Sequence, residues 1–181
     1  RDLPLFATRQ GWRTAAEVFR VELGLRPLLE GVDLPIMELE REQILAPLLE
    51  RLEVRTFGLP GLIERWQHDI RAGALLSQGP VYLQTPDQLN QIYSHLEERF
   101  ARSFGDKIAQ APIFLDHQQR LRPADQCRRA PSSEVCETFA ESGLHFWAGN
   151  DSYAYLLQQI PSLTLSDVWN ALRLQLPHEL L

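Results

Sequence analysis

At 181 residues, with 44% hydrophobic and 23% charged, the chain can bury a core without disulfide or metal staples, which excludes an intrinsically disordered segment. A net charge of −6 excludes a globally basic nucleic-acid binder, and two cysteines, Cys127 and Cys136, exclude a disulfide scaffold. No run of about 18 apolar residues occurs, so no membrane-spanning helix is expected.

Prolines and glycines are scattered as punctuation, with no repeat, no low-complexity tract and no long linker, so a single domain over 1–181 is expected. Thr14–Leu23 reads as a first helix, stopped by Gly24 and Pro27. A second helix is expected from about Pro35 to Leu52, with Met37, Ile44, Leu45, Leu48 and Leu52 on one stripe. Ala46-Pro47 should kink or divide it. Together these form an N-terminal helical cover. Residues 52–57 then alternate apolar and polar, the period of a half-buried strand. After Gly58 and Pro60 comes a helix carrying Leu59, Leu62, Ile63, Trp66 and Ile70.

Gly79-Pro80 leads into a short apolar strand near 81–84. Thr85-Pro86-Asp87 is the clearest helix start: a capping hydroxyl, a proline suited to the first position, and an acid facing the helix dipole. Leu89, Ile92, Tyr93, Leu96 and Phe100 form that helix's core stripe, and Gly105 is expected to end it. Strands follow near 112–116 and 144–147, with a short helix between them capped by Ser132 or Ser133. Asn150 or Asp151 caps a further helix up to Pro161. Ser166-Asp167 begins the last, with Val168, Trp169, Leu172 and Leu176 turned inward. From residue 52 onward strands alternate with helices, which predicts a mixed α/β domain with a small sheet of about four strands; all-α is the alternative.

The chain has no Gly-rich phosphate loop, no Gly-x-Gly-x-x-Gly, no His-Glu-x-x-His and no Gly-x-Ser-x-Gly, which argues against the enzymes that use them. The cysteines lie nine apart and would form a zinc site only if His117 and His145 joined them; two ordinary thiols are the simpler reading. Arg128 and Arg129 beside Cys127 would lower its pKa if nothing opposed them. His68, His95, His117, His145 and His178 read as structural or solvated.

The densest polar cluster is Asp116–Arg129. It leaves the end of a predicted strand, where open α/β folds place ligands, and contains Arg120, Arg122, Arg128 and Arg129. Guanidinium forks at such a place suit a nucleotide or a DNA backbone, whereas a solvated, salt-bridged loop is the plainer reading. Within it, residues 115–124, Leu-Asp-His-Gln-Gln-Arg-Leu-Arg-Pro-Ala, resemble the box of the ParB/sulfiredoxin superfamily, with Arg120, Leu121, Arg122 and Ala124 matching. The box glycine is replaced by Asp116 or His117, Gln119 stands for an expected arginine, and sulfiredoxin's catalytic cysteine has no counterpart, so its reductase chemistry is not carried over.

The resemblance implies nucleotide- or DNA-directed hydrolysis with ATP and Mg2+ as cofactors. Arg120 and Arg122 would bind phosphate, His117 would shuttle a proton, and Asp116 would orient it or hold the metal ion. It also implies a plasmid setting, with interference in DNA transfer or partition. Only Lys107 among 18 basic residues is a lysine, a skew that fits a GC-rich bacterial genome. A cytoplasmic location is expected: two cysteines fit a reducing compartment and Arg1-Asp2-Leu3-Pro4 lacks the apolar stretch of a signal peptide, while the missing initiator Met points to a true start outside the given sequence. The chain is therefore expected to be a bacterial regulatory or inhibitory protein that works through a macromolecular partner; the rival reading is a non-catalytic interaction adaptor that binds a basic protein partner through tryptophan and tyrosine anchors, Trp12, Trp66, Trp147, Trp169, Tyr153 and Tyr155. A small-molecule enzyme using Asp116, His117 and His145 is the third class.

Overall fold

The computed structural model describes residues 6–22 and 24–175. It is mixed α/β, with helices and two-stranded ladders. The chain divides into two compact units, Arg1–Leu62 and Ile63–Leu181, and the division falls inside a helix.

In the first unit, β1 (Phe6–Thr8) and β2 (Gly11–Arg13) form an antiparallel hairpin. Gly11 turns it at φ +97°, a conformation costly for any residue with a Cβ. β3 (Arg20–Val21) pairs in parallel with β4 (Thr56–Phe57), and α1 (Leu39–Arg51) lies between them in sequence. Phe6, Val18, Met37, Leu49 and Val54 make the buried cluster.

Two local expectations fare differently here. Thr14–Glu22 is not a helix: Thr14 donates to the Glu17 carboxylate through both N and Oγ1 at 2.9 Å, which closes a single turn. Val18 N still donates to Thr14 O within that turn, and Phe19, Arg20 and Val21 then run extended, Phe19 N donating to Pro35 O and Arg20 N to Arg55 O. Branched and aromatic side chains in series gain more from that pairing than from a helix. The expected helix's last residue, Leu23, lies outside the described residues. The second helix forms only over Leu39–Arg51: Ile36 and Met37 make β-bridges ahead of it, Ile44 and Leu48 of the expected stripe are exposed, and Pro47 sits within it without dividing it. Pro47 and Gln43, whose carbonyl it deprives of a donor, are both exposed, so water can serve that carbonyl.

In the second unit, α2 (Leu59–Asp69) arrives with Ile63 and Trp66 buried, and Ile70 just beyond it is buried too, as their spacing predicts. Val81–Leu83 is a 3-10 turn, where a strand was expected. Leu83 N donates to Pro80 O at 2.7 Å, and Val81 is left exposed. Three residues are too few to show a period, and Pro80 favours the turn.

α3 (Pro86–Arg99) begins with a full capping box: Gln88 N donates to Thr85 Oγ1, and Thr85 N donates to the Gln88 side chain. Leu89, Ile92, Tyr93, Leu96 and Phe100 are all buried. Gly105 does not end this helix. Phe100 breaks the helical backbone, α4 (Ala101–Ile108) follows, and Gly105 lies inside α4, where a Cβ would collide with the Gln159 amide.

β5 (Phe114–Leu115) and β6 (Leu121–Arg122) form an antiparallel hairpin. Residues 73–76 bond to β6 and its turn, with Gly73 N donating to Leu121 O and Leu76 N to Gln119 O. The predicted strand 144–147 runs on the other side through single bridges, Asp116 to Trp147 and Arg128 to Phe146. α5 (Ser133–Thr138) is capped by Ser132, and α6 (Ala154–Gln158) by the Glu97 carboxylate, which accepts from Tyr155 N and Leu156 N. α7 (Leu165–Gln175) is opened by Thr164 and Asp167, whose side chains accept from each other's backbone N–H.

Candidate functional site

The β5–β6 hairpin brings Asp116, His117, Arg120 and Arg122 together and binds each of them to the chain itself. Asp116, at the end of β5, has no exposed surface. Its Oδ1 accepts from Gln118 N and Arg120 N, both at 2.9 Å, and so shapes the turn, in which Gln119 takes φ +59°. Its Oδ2 accepts from Arg122 Nε at 2.6 Å, a charge-assisted bond to a side chain only 14% exposed. Arg120 Nη1 reaches back to Gly73 O at 2.8 Å, across to the neighbouring segment.

His117 is a brace. Phe146 N donates to its Nδ1 at 3.1 Å and its Nε2 lies 3.3 Å from Ala140 O, so the ring is held as the Nε2–H tautomer between two backbone groups. His145 Nδ1 lies 3.4 Å from Asp116 Oδ2, close enough for an ion pair but without hydrogen-bond geometry, and this buried nitrogen has no partner. Burial lowers the His145 pKa below the ordinary imidazole value, the Arg122 charge adds to this, and Asp116 opposes it.

This geometry does not fit Mg2+ with ATP. Asp116 offers no exposed oxygen for a metal ion, and Arg122 is committed to Asp116. Among the described residues no group of three or more His, Cys, Asp or Glu side chains is placed to hold a metal. Cys127 is fully buried, and burial together with Asp116 pushes its thiol up to about 12, the reverse of what its arginine neighbours alone would do. Cys136 is half-buried, and its pKa is also raised by burial.

The more open feature is on α7. Trp169 and Leu172, expected to face inward, are 65% and 43% exposed, and Leu165 is 89% exposed; Val168 is half-buried and Ala171 is buried. Leu176 lies outside the described residues. Leu165, Trp169 and Leu172 are spaced at four and three, so they form one apolar stripe on the outside of the helix. Apolar periodicity identifies a stripe but not which side of the molecule it faces, so periodicity alone predicts a core position that this stripe does not take. Comparison with protein-family models, curated proteins and solved structures finds no match. No described helix is long and apolar enough to cross a membrane.

Proposed function

We propose that this chain is a non-catalytic regulatory protein of a bacterial cytoplasm that presents α7 to an apolar groove on a protein partner. The observation that carries the reading is the exposed stripe Leu165, Trp169 and Leu172. Such i, i+4, i+7 anchors are the pattern by which a helix lies in a groove, and tryptophan is the residue type most enriched where binding energy concentrates. The net charge of −6 selects a groove with a basic rim. The bonds that tie Asp116, Arg120 and Arg122 into the hairpin favour this over hydrolysis of nucleotide or DNA.

The test starts by recovering a binding protein from a bacterial lysate and purifying it. Its affinity for the chain is then measured against a Leu165→Ala/Trp169→Ala variant that keeps its circular dichroism. The double change should weaken binding about 30-fold or more, the effect of removing a hot spot. Added salt should weaken it further, as basic-rim attraction requires. Unchanged affinity in the variant would refute the reading. Self-association in the ultracentrifuge that the same change abolishes would assign the stripe to a second copy and refute it equally.

A further inference from the structure

Given the groove-binding reading, on which this rests, we propose that the partner's groove carries a carboxylate on its outer rim that pairs with Arg173. At about 100° per residue, Leu165, Trp169 and Leu172 fall within about 60° of one another around α7. Ser166, Asn170 and Arg173 come next on one flank, about 80–140° round from Leu165. All three are exposed. Asp167, Val168 and Ala171 take the remaining arc and are buried or half-buried. A groove that covers the stripe therefore brings its outer rim against Ser166, Asn170 and Arg173.

The two charged residues of α7 are used in opposite ways. Asp167 closes bonds within the chain: Thr164 N and Oγ1 donate to its Oδ2 at 2.9 and 2.6 Å, and Arg128 Nε lies 3.2 Å from its Oδ1. Together with Arg129 N donating to Pro161 O and Leu163 N to Arg129 O, these bonds anchor the start of the helix. Arg173 closes none. Among the described residues, its side chain and those of Ser166 and Asn170 have no hydrogen-bond or ion-pair partner. A free guanidinium beside an apolar seam presents a planar pair of donors, and a carboxylate answers them with two oxygens. The net charge of −6 acts at longer range, drawing in a partner that is basic around its groove. Charges more than about 8 Å apart are largely screened at physiological ionic strength, whereas a pair closed at the edge of a dry seam is screened much less. The overall charge therefore governs the approach, and Arg173 governs the contact.

The experiment takes the binding protein recovered for the groove-binding test and measures its affinity for the full chain, for Arg173→Gln and for Arg173→Glu, matched by circular dichroism. Arg173→Gln should bind about threefold more weakly and Arg173→Glu about tenfold, with the gap closing at about 1 M salt. Attraction through net charge alone predicts the reverse, since the glutamate variant is the more acidic chain. Carboxylates of the binding protein are then replaced by lysine one at a time. One replacement should weaken binding of the parent chain and restore binding of Arg173→Glu, an exchange that a frayed helix end does not produce. Unchanged or tighter binding by Arg173→Glu, or no lysine replacement that restores it, would overturn the proposal. If Leu165→Ala/Trp169→Ala weakens binding and the Arg173 variants do not, the rim carboxylate alone is refuted. If no binding protein is recovered, or none of these changes matters, the groove-binding reading falls and the rim carboxylate with it.

Discussion

Replacing Asp116 with asparagine separates a structural carboxylate from a catalytic one. The amide keeps one oxygen for Gln118 N and Arg120 N, so the two turn bonds at 2.9 Å survive. What disappears is the charge facing Arg122 Nε at 2.6 Å, and an amide N–H now points at a guanidinium N–H. A hydrogen bond to a charged group contributes about 1.5–3 kcal/mol, and stranding a buried ion's partner about 3–5 kcal/mol. Arg122 is 14% exposed, so some of its solvation returns and the cost lands near 3 kcal/mol, at the lower end of the second range. Asp116→Ala also strands two backbone donors and should cost roughly 2 kcal/mol more. Removing both charges in Asp116→Asn/Arg122→Met should cost less than the sum of the single changes, with about 2 kcal/mol of coupling. Urea unfolding followed by circular dichroism at neutral pH measures all four variants. A carboxylate kept for chemistry behaves otherwise, since its neutralisation leaves stability unchanged or raises it. Asp116→Asn within about 0.5 kcal/mol of the parent chain, the scatter of ordinary surface changes, would refute the structural role.

His145 has a pKa lowered in the fold from its ordinary 6.5, so below that value the unfolded chain binds the proton first. Its contribution is fully present above pH 6.5 and fades as the pH falls from there towards the lowered value; His145→Gln should flatten that part of the stability profile, and an unchanged slope would count against the assignment. Cys127, buried with its thiol pushed up to about 12, should resist iodoacetamide until the chain unfolds, while half-buried Cys136 labels in the native state. Mass spectrometry showing both cysteines labelled equally fast in the native protein would contradict this. Thr85→Ala removes the α3 capping box and should cost about 1 kcal/mol in the same urea assay; a loss below about 0.3 kcal/mol would mean the cap contributes little.

What was legible in the sequence was what local chemistry decides. Thr85, Pro86 and Gln88 fix the start of α3 through bonds made within four residues, and its stripe from Leu89 to Leu96 repeats often enough to fix the buried face. Val81–Leu83 has no such repetition, and the bonds that decide it come from Pro80 and from the Gln84 and Gln88 side chains, which donate to Gly79 O and Val81 O. Thr14–Glu22 carries a helical pattern that Pro35, Arg55 and Phe57 override by pairing with it from up to 35 residues away. The hairpin around Asp116 shows the same limit for function. An acid, a histidine and two arginines within seven residues have the composition of a phosphate site, but composition does not record whom each group bonds. Gly73, Ala140, Phe146 and Arg122 answer that question, and three of them are more than twenty residues from the group they satisfy. Charged side chains that close bonds within the fold hold its turns. On the proposed reading, the exposed α7 stripe is the feature with an interaction still to make.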